Sequence, residues 1–151
     1  MTPDTNNVAD NTAARERLRQ LLARLSDADL ERPVGDGWSV ASALVHLAFW
    51  DTRQLALLHK WQQIGVEPAP SDSDTINVAV QALSTAIPPC AAAELALAAA
   101  NAIDDEVAKI APDMAARIDA IGYGYVLRRS IHRGDHIDQI ERALFPSPAT
   151  S

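Results

Sequence analysis

The chain has 151 residues, enough for one domain with a substantial buried core. Hydrophobic residues make up 48% of it and charged residues 22%, which is typical of a globular protein and not of a disordered one. The formal net charge of −7 argues against a nucleic-acid partner, because neutralising phosphates requires clustered Lys and Arg side chains.

The N-terminal residues are polar and show no basic segment followed by an apolar one, so the sequence predicts no signal peptide. No apolar run reaches the length of a membrane span, so we expect no membrane partner. The single cysteine, Cys90, allows no intramolecular disulfide, which favours a reducing compartment. We therefore expect a cytoplasmic protein.

Helical periodicity dominates the chain, whereas sustained period-two alternation and Asn-Gly hairpin turns are lacking. We expect a disordered or loosely ordered segment at 1–11, a helical domain at 12–145 and a C-terminal tail at 146–151. Four principal helices with short connections favour an all-α helical bundle.

The first predicted helix runs from Thr12, as N-cap, to about Leu25 and carries a stripe of leucines. A loop rich in Pro and Gly follows it. The second helix begins after the N-cap Ser39 and continues to about Gln63, where Gly65 ends it. The first half of this second helix is far more apolar than a solvent-exposed helix needs to be.

The third helical region is interrupted at Pro88 and Pro89, because proline inside a helix costs roughly 3 kcal/mol. Pro112 ends or restarts this region, and the fourth helix is predicted from about Asp119 to Leu144. The third region is rich in alanine. That composition fits close packing against a partner subunit and equally fits a close-packed pair of helices within the chain.

Three of the four histidines are candidate metal ligands. His132 and His136 lie four residues apart, so they project from one helix face and can reach one ion, although solvent-exposed histidines show the same spacing. His46 lies in the apolar run GWSVASALVHLAFWD, where an imidazole must coordinate an ion or be hydrogen-bonded to a carbonyl or a water. His59 points about 140° away from His46 and is expected at the surface.

Two short motifs resemble the DinB/YfiT-like family. The first is a Trp-Ser pair opening the second helix, then a His and an aromatic residue at fixed distances: Trp38, Ser39, His46 and Trp50. The second is a His-x-x-x-His followed by a Gln and an aliphatic residue: His132, His136, Gln139 and Ile140. The resemblance covers the chain from about Ala13 to Leu144.

The resemblance implies an antiparallel up-down-down-up four-helix bundle, often dimeric, so we expect a homodimer. It also implies that His46, His132 and His136 hold a divalent metal ion, with zinc or nickel favoured. Three neutral imidazoles leave at least one open coordination position, as in catalytic sites. An ion held in this way lowers the pKa of a bound water or binds a thiol as its thiolate.

Candidate catalytic residues lie near the predicted direction of the histidines. They are Arg53 on the second helix and Tyr125 and Arg128 on the fourth, all suited to steadying an anion or a developing oxyanion. The alternative is that Tyr125 belongs to the core and the arginines form ion pairs. Asp135 is a candidate partner for a ligand histidine, and the sequence indicates no clear general base.

Three functions remain open at this point. The resemblance favours a metal-dependent enzyme with thiol S-transferase-like chemistry on a small-molecule substrate, using a low-molecular-weight thiol. A metal-dependent hydrolase is the alternative within the same class. A non-catalytic helical stress protein that binds a small ligand or a metal ion is the third, and it predicts metal uptake without turnover.

Overall fold

The structure, a computed structural model, describes residues 5–147. This part of the chain is predominantly helical, which confirms the all-α prediction. The helices are α1 (Thr5–Arg24), α2 (Asp27–Leu30), α3 (Val40–Ile64), α4 (Ser73–Ser84), α5 (Pro89–Lys109), α6 (Pro112–Ala120), a 3₁₀ helix (Gly124–Val126) and α7 (Arg129–Leu144). Strands β1 (Pro33–Gly35) and β2 (Trp38–Ser39) form a small antiparallel hairpin between α2 and α3.

The N-terminal segment differs from its prediction. Helix α1 begins at Thr5, so Thr12 lies inside it and is not an N-cap, and the disorder expected at 1–11 is wrong from Thr5 onward. Buried tertiary hydrogen bonds explain the difference: Nδ2 of Asn11 donates to the carbonyl of Leu127 at 2.8 Å, and its Oδ1 accepts from the amide of Ser130 at 2.9 Å. Residues 1–4 and 148–151 lie outside the described residues.

Helix α3 was located correctly from the sequence. Ser39 caps it, with Ser39 Oγ accepting from the Ser42 amide and Ser42 Oγ accepting from the Ser39 amide, a reciprocal capping box. Gly65, with a φ of 95°, follows its last residue. Fifteen residues of α3 are buried, as expected for a helix that is packed on most sides.

The predicted break at the two prolines is confirmed, since α4 ends before Pro88 and Pro89 is the first residue of α5. The alanines of α5 pack inside this chain: Ala92, Ala96 and Ala100 are at most 1% exposed and belong to the core that α5 shares with α3. Small side chains at this spacing allow the two helix backbones to approach closely.

The fourth predicted helix is wrong in its first third. Instead of one helix from Asp119, α6 ends at Ala120 and α7 begins only at Arg129. Gly122 has a φ of 82°, and the Tyr123 amide donates to the Ile118 carbonyl, the hydrogen bond of a Schellman C-cap. The chain then reverses through the 3₁₀ helix before α7 starts.

The long helices pack on one another around two apolar clusters. Helix α1 contacts α5 and α7, while α3 contacts α4, α5 and α7. One cluster lies around Leu44 and Ile140, and the other around Trp61 and Ile118. No helix among the described residues is long and apolar enough to cross a membrane.

Candidate metal centre

The three predicted ligands come together. His46 projects from α3, and His132 and His136 project from α7, with ring centroids 4.6–5.0 Å apart. Nε2 of His46 lies 3.0 Å from Nε2 of His132, and one ring nitrogen of each histidine falls within 4.8 Å of the others. His59 is exposed and lies beside Glu106, outside this group, as predicted.

Both sequence motifs have a structural role in holding these rings. The β1–β2 hairpin and the Ser39 cap place Trp38 edge-on to His46, with centroids 5.4 Å apart. On α7, Nδ1 of His136 donates to Oε1 of Gln139 at 3.0 Å. This hydrogen bond fixes the proton on Nδ1, so the lone pair of His136 lies on Nε2, the atom that is free to bind an ion.

The pKa values of two of the histidines are lowered. Burial, and after it the neighbouring His136, lower the pKa of His46 to about 4. Burial likewise lowers the pKa of His132 to about 2, with the nearby guanidinium of Arg129 as the next cause. Both rings are therefore neutral at pH 7, which is the protonation state that ligates metals.

The donor set fits a divalent ion. Bonds of 2.0–2.1 Å in a tetrahedral site set ligand nitrogens about 3.3 Å apart, close to the observed approach of His46 and His132. Nδ1 of His46 is buried without a hydrogen-bond partner among the described residues. The fit rests on the close approach of the ring nitrogens, since an ion bound to Nε2 of His46 would leave its Nδ1 unpaired.

One contact opposes metal binding. Nη2 of Arg129 lies 3.3 Å from Nδ1 of His132, and because a guanidinium only donates, this nitrogen of His132 must accept. The ring proton then lies on Nε2 and is shared with His46. A metal on Nε2 would displace that proton to Nδ1, so binding has to overcome the contact with Arg129.

A buried arginine–aspartate network lies next to the histidines, and sequence reasoning missed it. Nε of Arg129 donates to Asp51 at 2.8 Å, and the two Nη atoms of Arg133 donate to Asp104 at 3.0 Å. Arg133 also reaches Asp51 at 3.3 Å, and its Nη1 donates to the carbonyl of Asn11. All four charged side chains are at most 5% exposed. We call Asp51, Asp104, Arg129 and Arg133 the arginine–aspartate network.

Two clefts share His46, Asn77 and His132 in their lining. The aromatic cleft has a volume of about 320 Å³ and is lined by His46, Trp50, Gln54, Ser71, Ser73, Asn77, Tyr125, Arg129 and His132. The polar cleft has a volume of about 430 Å³ and is lined by Asp36, Trp38, Ala43, His46, Asn77, His132, His136 and Gln139. Asn77 stands between them, with its Oδ1 accepting from Nε1 of Trp50 at 2.8 Å.

The candidate catalytic residues occupy three different environments. Tyr125 lies on the 3₁₀ helix, 46% exposed, and lines the aromatic cleft. Arg53 instead donates to the carbonyl of Ala69 and to Gln54, and does not line that cleft. Arg128 precedes α7 and pairs with Asp119 at 3.2 Å. Tyr125 shares the aromatic cleft with His46 and His132, and Arg128 lines a neighbouring cleft with Tyr125 and His132.

Two further residues near the site differ from expectation. Asp135 is exposed and hydrogen-bonds no histidine among the described residues, whereas Gln139 holds His136. Asn77, at the junction of the clefts, was not singled out from the sequence, because α4 carries no motif. Only the proximity of α4 to α3 in the fold brings Asn77 to the site.

Fold and site together define a class: a helical protein in which three histidines from two helices form a candidate metal centre beside open clefts. The sequence model of the DinB superfamily matches residues 11–138. Since this match spans most of the chain, the chain belongs to the DinB superfamily, which confirms the resemblance. Searches among curated proteins and among solved structures found no significant match.

Proposed function

We propose that this chain is a divalent-metal-dependent enzyme that transfers a small thiol to an electrophilic substrate. The observation that supports it most directly is the convergence of three ring nitrogens, on His46, His132 and His136, next to two clefts. A site built only to tie helices together would have four protein ligands, whereas three leave a position for a substrate atom. Zinc or nickel suits imidazole ligands.

The metal, when bound, would lower the pKa of a thiol so that it binds as the thiolate. In the transfer, the thiol would lose its proton to solvent, its sulfur would form a bond to the electrophilic carbon of the acceptor, and the leaving group would depart with its bonding electron pair. The chain's own part is to hold the ligands: Gln139 fixes His136, and Trp38 packs against His46. The two clefts provide separate approaches for a thiol and an acceptor.

The proposal includes the up-down-down-up arrangement of α1, α3, α5 and α7. Contacts of α1 with α5 and α7, and of α3 with the same two helices, support it. In this arrangement α3 and α7 are neighbouring helices, which is the condition for a site shared between them.

The first test is elemental analysis of the tag-free protein by plasma mass spectrometry. We expect about one zinc or nickel ion per chain in the parent and almost none in His46→Ala. His59→Ala is the matched control, because His59 lies on the same helix but is exposed and outside the cluster. A parent that takes up no metal on dialysis against zinc or nickel would contradict the proposal.

The second step tests the chemistry. Metal-loaded and chelator-stripped protein are assayed with a panel of thiols and the electrophile 1-chloro-2,4-dinitrobenzene. Metal-dependent formation of the thioether supports the transferase. Metal-dependent cleavage of ester or amide substrates without thioether formation would instead establish the hydrolase, and metal uptake with neither activity would establish a binding protein.

A further inference from the structure

The hydrogen bonds of the histidine cluster determine where the ring proton of His46 lies. Nη2 of Arg129 can only donate, so Nδ1 of His132 accepts and the proton of that ring is on Nε2. Nε2 of His132 lies 3.0 Å from Nε2 of His46, so the former donates and the latter accepts. The proton of the neutral His46 ring is therefore on Nδ1.

The Nδ1–H group of His46 needs an acceptor. It is buried and has no hydrogen-bond partner among the described residues, and a buried donor without an acceptor is costly. An ion bound at Nε2 would not change this requirement, because a ligand histidine keeps its proton on the other ring nitrogen. There the proton is normally donated to a carbonyl, a carboxylate or a water. His46 therefore requires an acceptor at Nδ1 with the ion and without it.

The side chain of Asn77, on α4, offers an oxygen of the right kind. Nε1 of Trp50 is a donor only, and it lies 2.8 Å from one end of the Asn77 carboxamide. That end must be Oδ1, so this contact fixes the orientation of the amide. A carbonyl oxygen has two lone pairs, and Trp50 uses one of them, which leaves the second for another donor.

Asn77 lies beside His46. The two residues together line both the aromatic cleft and the polar cleft. Trp50, which holds the Asn77 carboxamide, lies on α3 one turn after His46. Among the described residues, Asn77 is also the one neighbour that raises the pKa of His46, which an acceptor does by favouring the protonated ring. The oxygen of Asn77 is therefore the acceptor best placed for the His46 ring.

We propose that Asn77 is a positioning residue of the metal centre, whose Oδ1 accepts the Nδ1 proton of His46. The hydrogen bond orients the ring so that Nε2 faces the other two histidines, and it makes Nε2 a stronger donor to the ion. It repeats on α3 and α4 what Gln139 does for His136 on α7. Helix α4 thus supports the centre although it carries no ligand. The inference rests on the metal centre of the proposed function and not on the thiol chemistry.

The zinc affinity of the full-length protein, measured by competition with a chromophoric chelator, tests the role of Asn77. Asn77→Leu keeps the size of the side chain but removes the acceptor, and should weaken zinc binding about 10–100-fold. Asn77→Asp keeps an acceptor and should bind zinc at least as tightly as the parent. Val78→Ala is the matched control, since Val78 is 68% exposed on α4 and lies outside both clefts. Unchanged affinity in Asn77→Leu, or equal losses in Asn77→Leu and Asn77→Asp, would overturn the inference.

A second measurement requires no metal and reports on the hydrogen bond itself. Long-range proton–nitrogen correlation NMR spectra of the chelator-stripped protein show which nitrogen of each neutral imidazole carries the proton, and His46→Gln identifies the signals of His46. We expect the proton on Nδ1 in the parent. Its resonance should move upfield in Asn77→Leu, because the acceptor is lost, and should stay in place in Val78→Ala. A His46 proton on Nε2, or a resonance that Asn77→Leu does not move, would contradict the inference.

Failure of this inference is distinguishable from failure of the proposed function. If the parent binds neither zinc nor nickel, the metal centre is wrong and the inference falls with it. If the parent binds zinc and Asn77→Leu binds it equally tightly, the metal centre stands and the role of Asn77 alone is wrong.

Discussion

The arginine–aspartate network and the histidine cluster both use α3 and α7, and the network also uses α5, but the two differ in how their buried polar groups are paired. On α7, Arg129 and Arg133 form one pair at i,i+4, and His132 and His136 form another, three residues further along. Because three residues turn a helix by about 300°, which is about 60° short of a full turn, the two pairs form adjacent stripes along α7. The histidine pair meets His46 on α3, whereas the arginine pair meets Asp51 on α3 and Asp104 on α5.

The stripes differ in charge balance. Two guanidiniums meet two carboxylates in the network, so the net charge is zero and most of its donors find acceptors, with Nε of Arg133 an exception. In the cluster three like rings face one another, and Nδ1 of His46 is buried without a partner among the described residues. Opposite charges balance in the network, whereas the cluster brings together three ring nitrogens of the kind that bind metal ions. Burial of polar groups alone therefore does not mark a functional site; the convergence of metal-ligating atoms does.

Breaking the network should have the largest effect on stability. Replacing Arg133 by Met leaves Asp104 buried without its main partner, and loss of one member of a buried pair costs about 3–5 kcal/mol. Urea denaturation followed by circular dichroism measures the change in the free energy of unfolding. If the variant does not fold, Asp104→Asn is the milder test of the same interaction.

An exposed ion pair provides the control for this prediction. Arg128→Met removes the pair with Asp119, in which both side chains are more than 40% exposed, and should change stability by less than about 1 kcal/mol. A loss in Arg133→Met as small as that in Arg128→Met would show that the network is not a structural element.

The histidine cluster should make the free energy of unfolding of the metal-free protein depend on pH. The pKa of His46 is about 4 in the folded chain and about 6.5 in the unfolded chain. Between these two pH values the unfolded chain binds more protons than the folded chain, which favours unfolding. Stability is thus present above pH 6.5 and is lost as the pH falls toward 4. We expect His46 to account for a loss of about 2 kcal/mol between pH 6.5 and 5, and His132 to add to it.

Chemical denaturation of the chelator-stripped protein at several pH values checks this prediction. His46→Gln should flatten the pH dependence, because the replaced side chain does not titrate. His59→Gln should keep the dependence of the parent, since His59 is exposed. A parent whose stability is constant between pH 6.5 and 5 would contradict the assignment of neutral, buried rings.

The histidine cluster was predictable from the sequence because its members lie in strongly periodic helices. The i,i+4 spacing placed His132 and His136 on one face, and the apolar surroundings of His46 singled it out. The pairing of these two helices came from the resemblance, not from periodicity. The homodimer, the cytoplasmic location, and the identities of metal and substrate stay predictions.

The network and the N-terminus were not predictable, for a common reason. Asp104 and Arg133 lie on different helices, and a sequence does not give the register between helices. Charged residues at helical spacing are usually solvated, so nothing in the pattern indicates burial. Similarly, Asn11 is typical of a loop or a cap, yet its side chain anchors α1 to the start of α7.

The smallest expected effect is on metal affinity, and it concerns one hydrogen bond of the histidine cluster. Gln139 accepts the Nδ1 proton of His136, so Gln139→Leu removes the group that leaves Nε2 free for the ion. Loss of such a partner lowers metal affinity about 10–100-fold, or about 1.4–2.7 kcal/mol. Competition with a chromophoric zinc chelator measures it. Gln139→Glu retains an acceptor and should bind zinc at least as tightly as the parent. If Gln139→Leu binds zinc as tightly as the parent, Gln139 does not orient His136, and the cluster depends on packing alone.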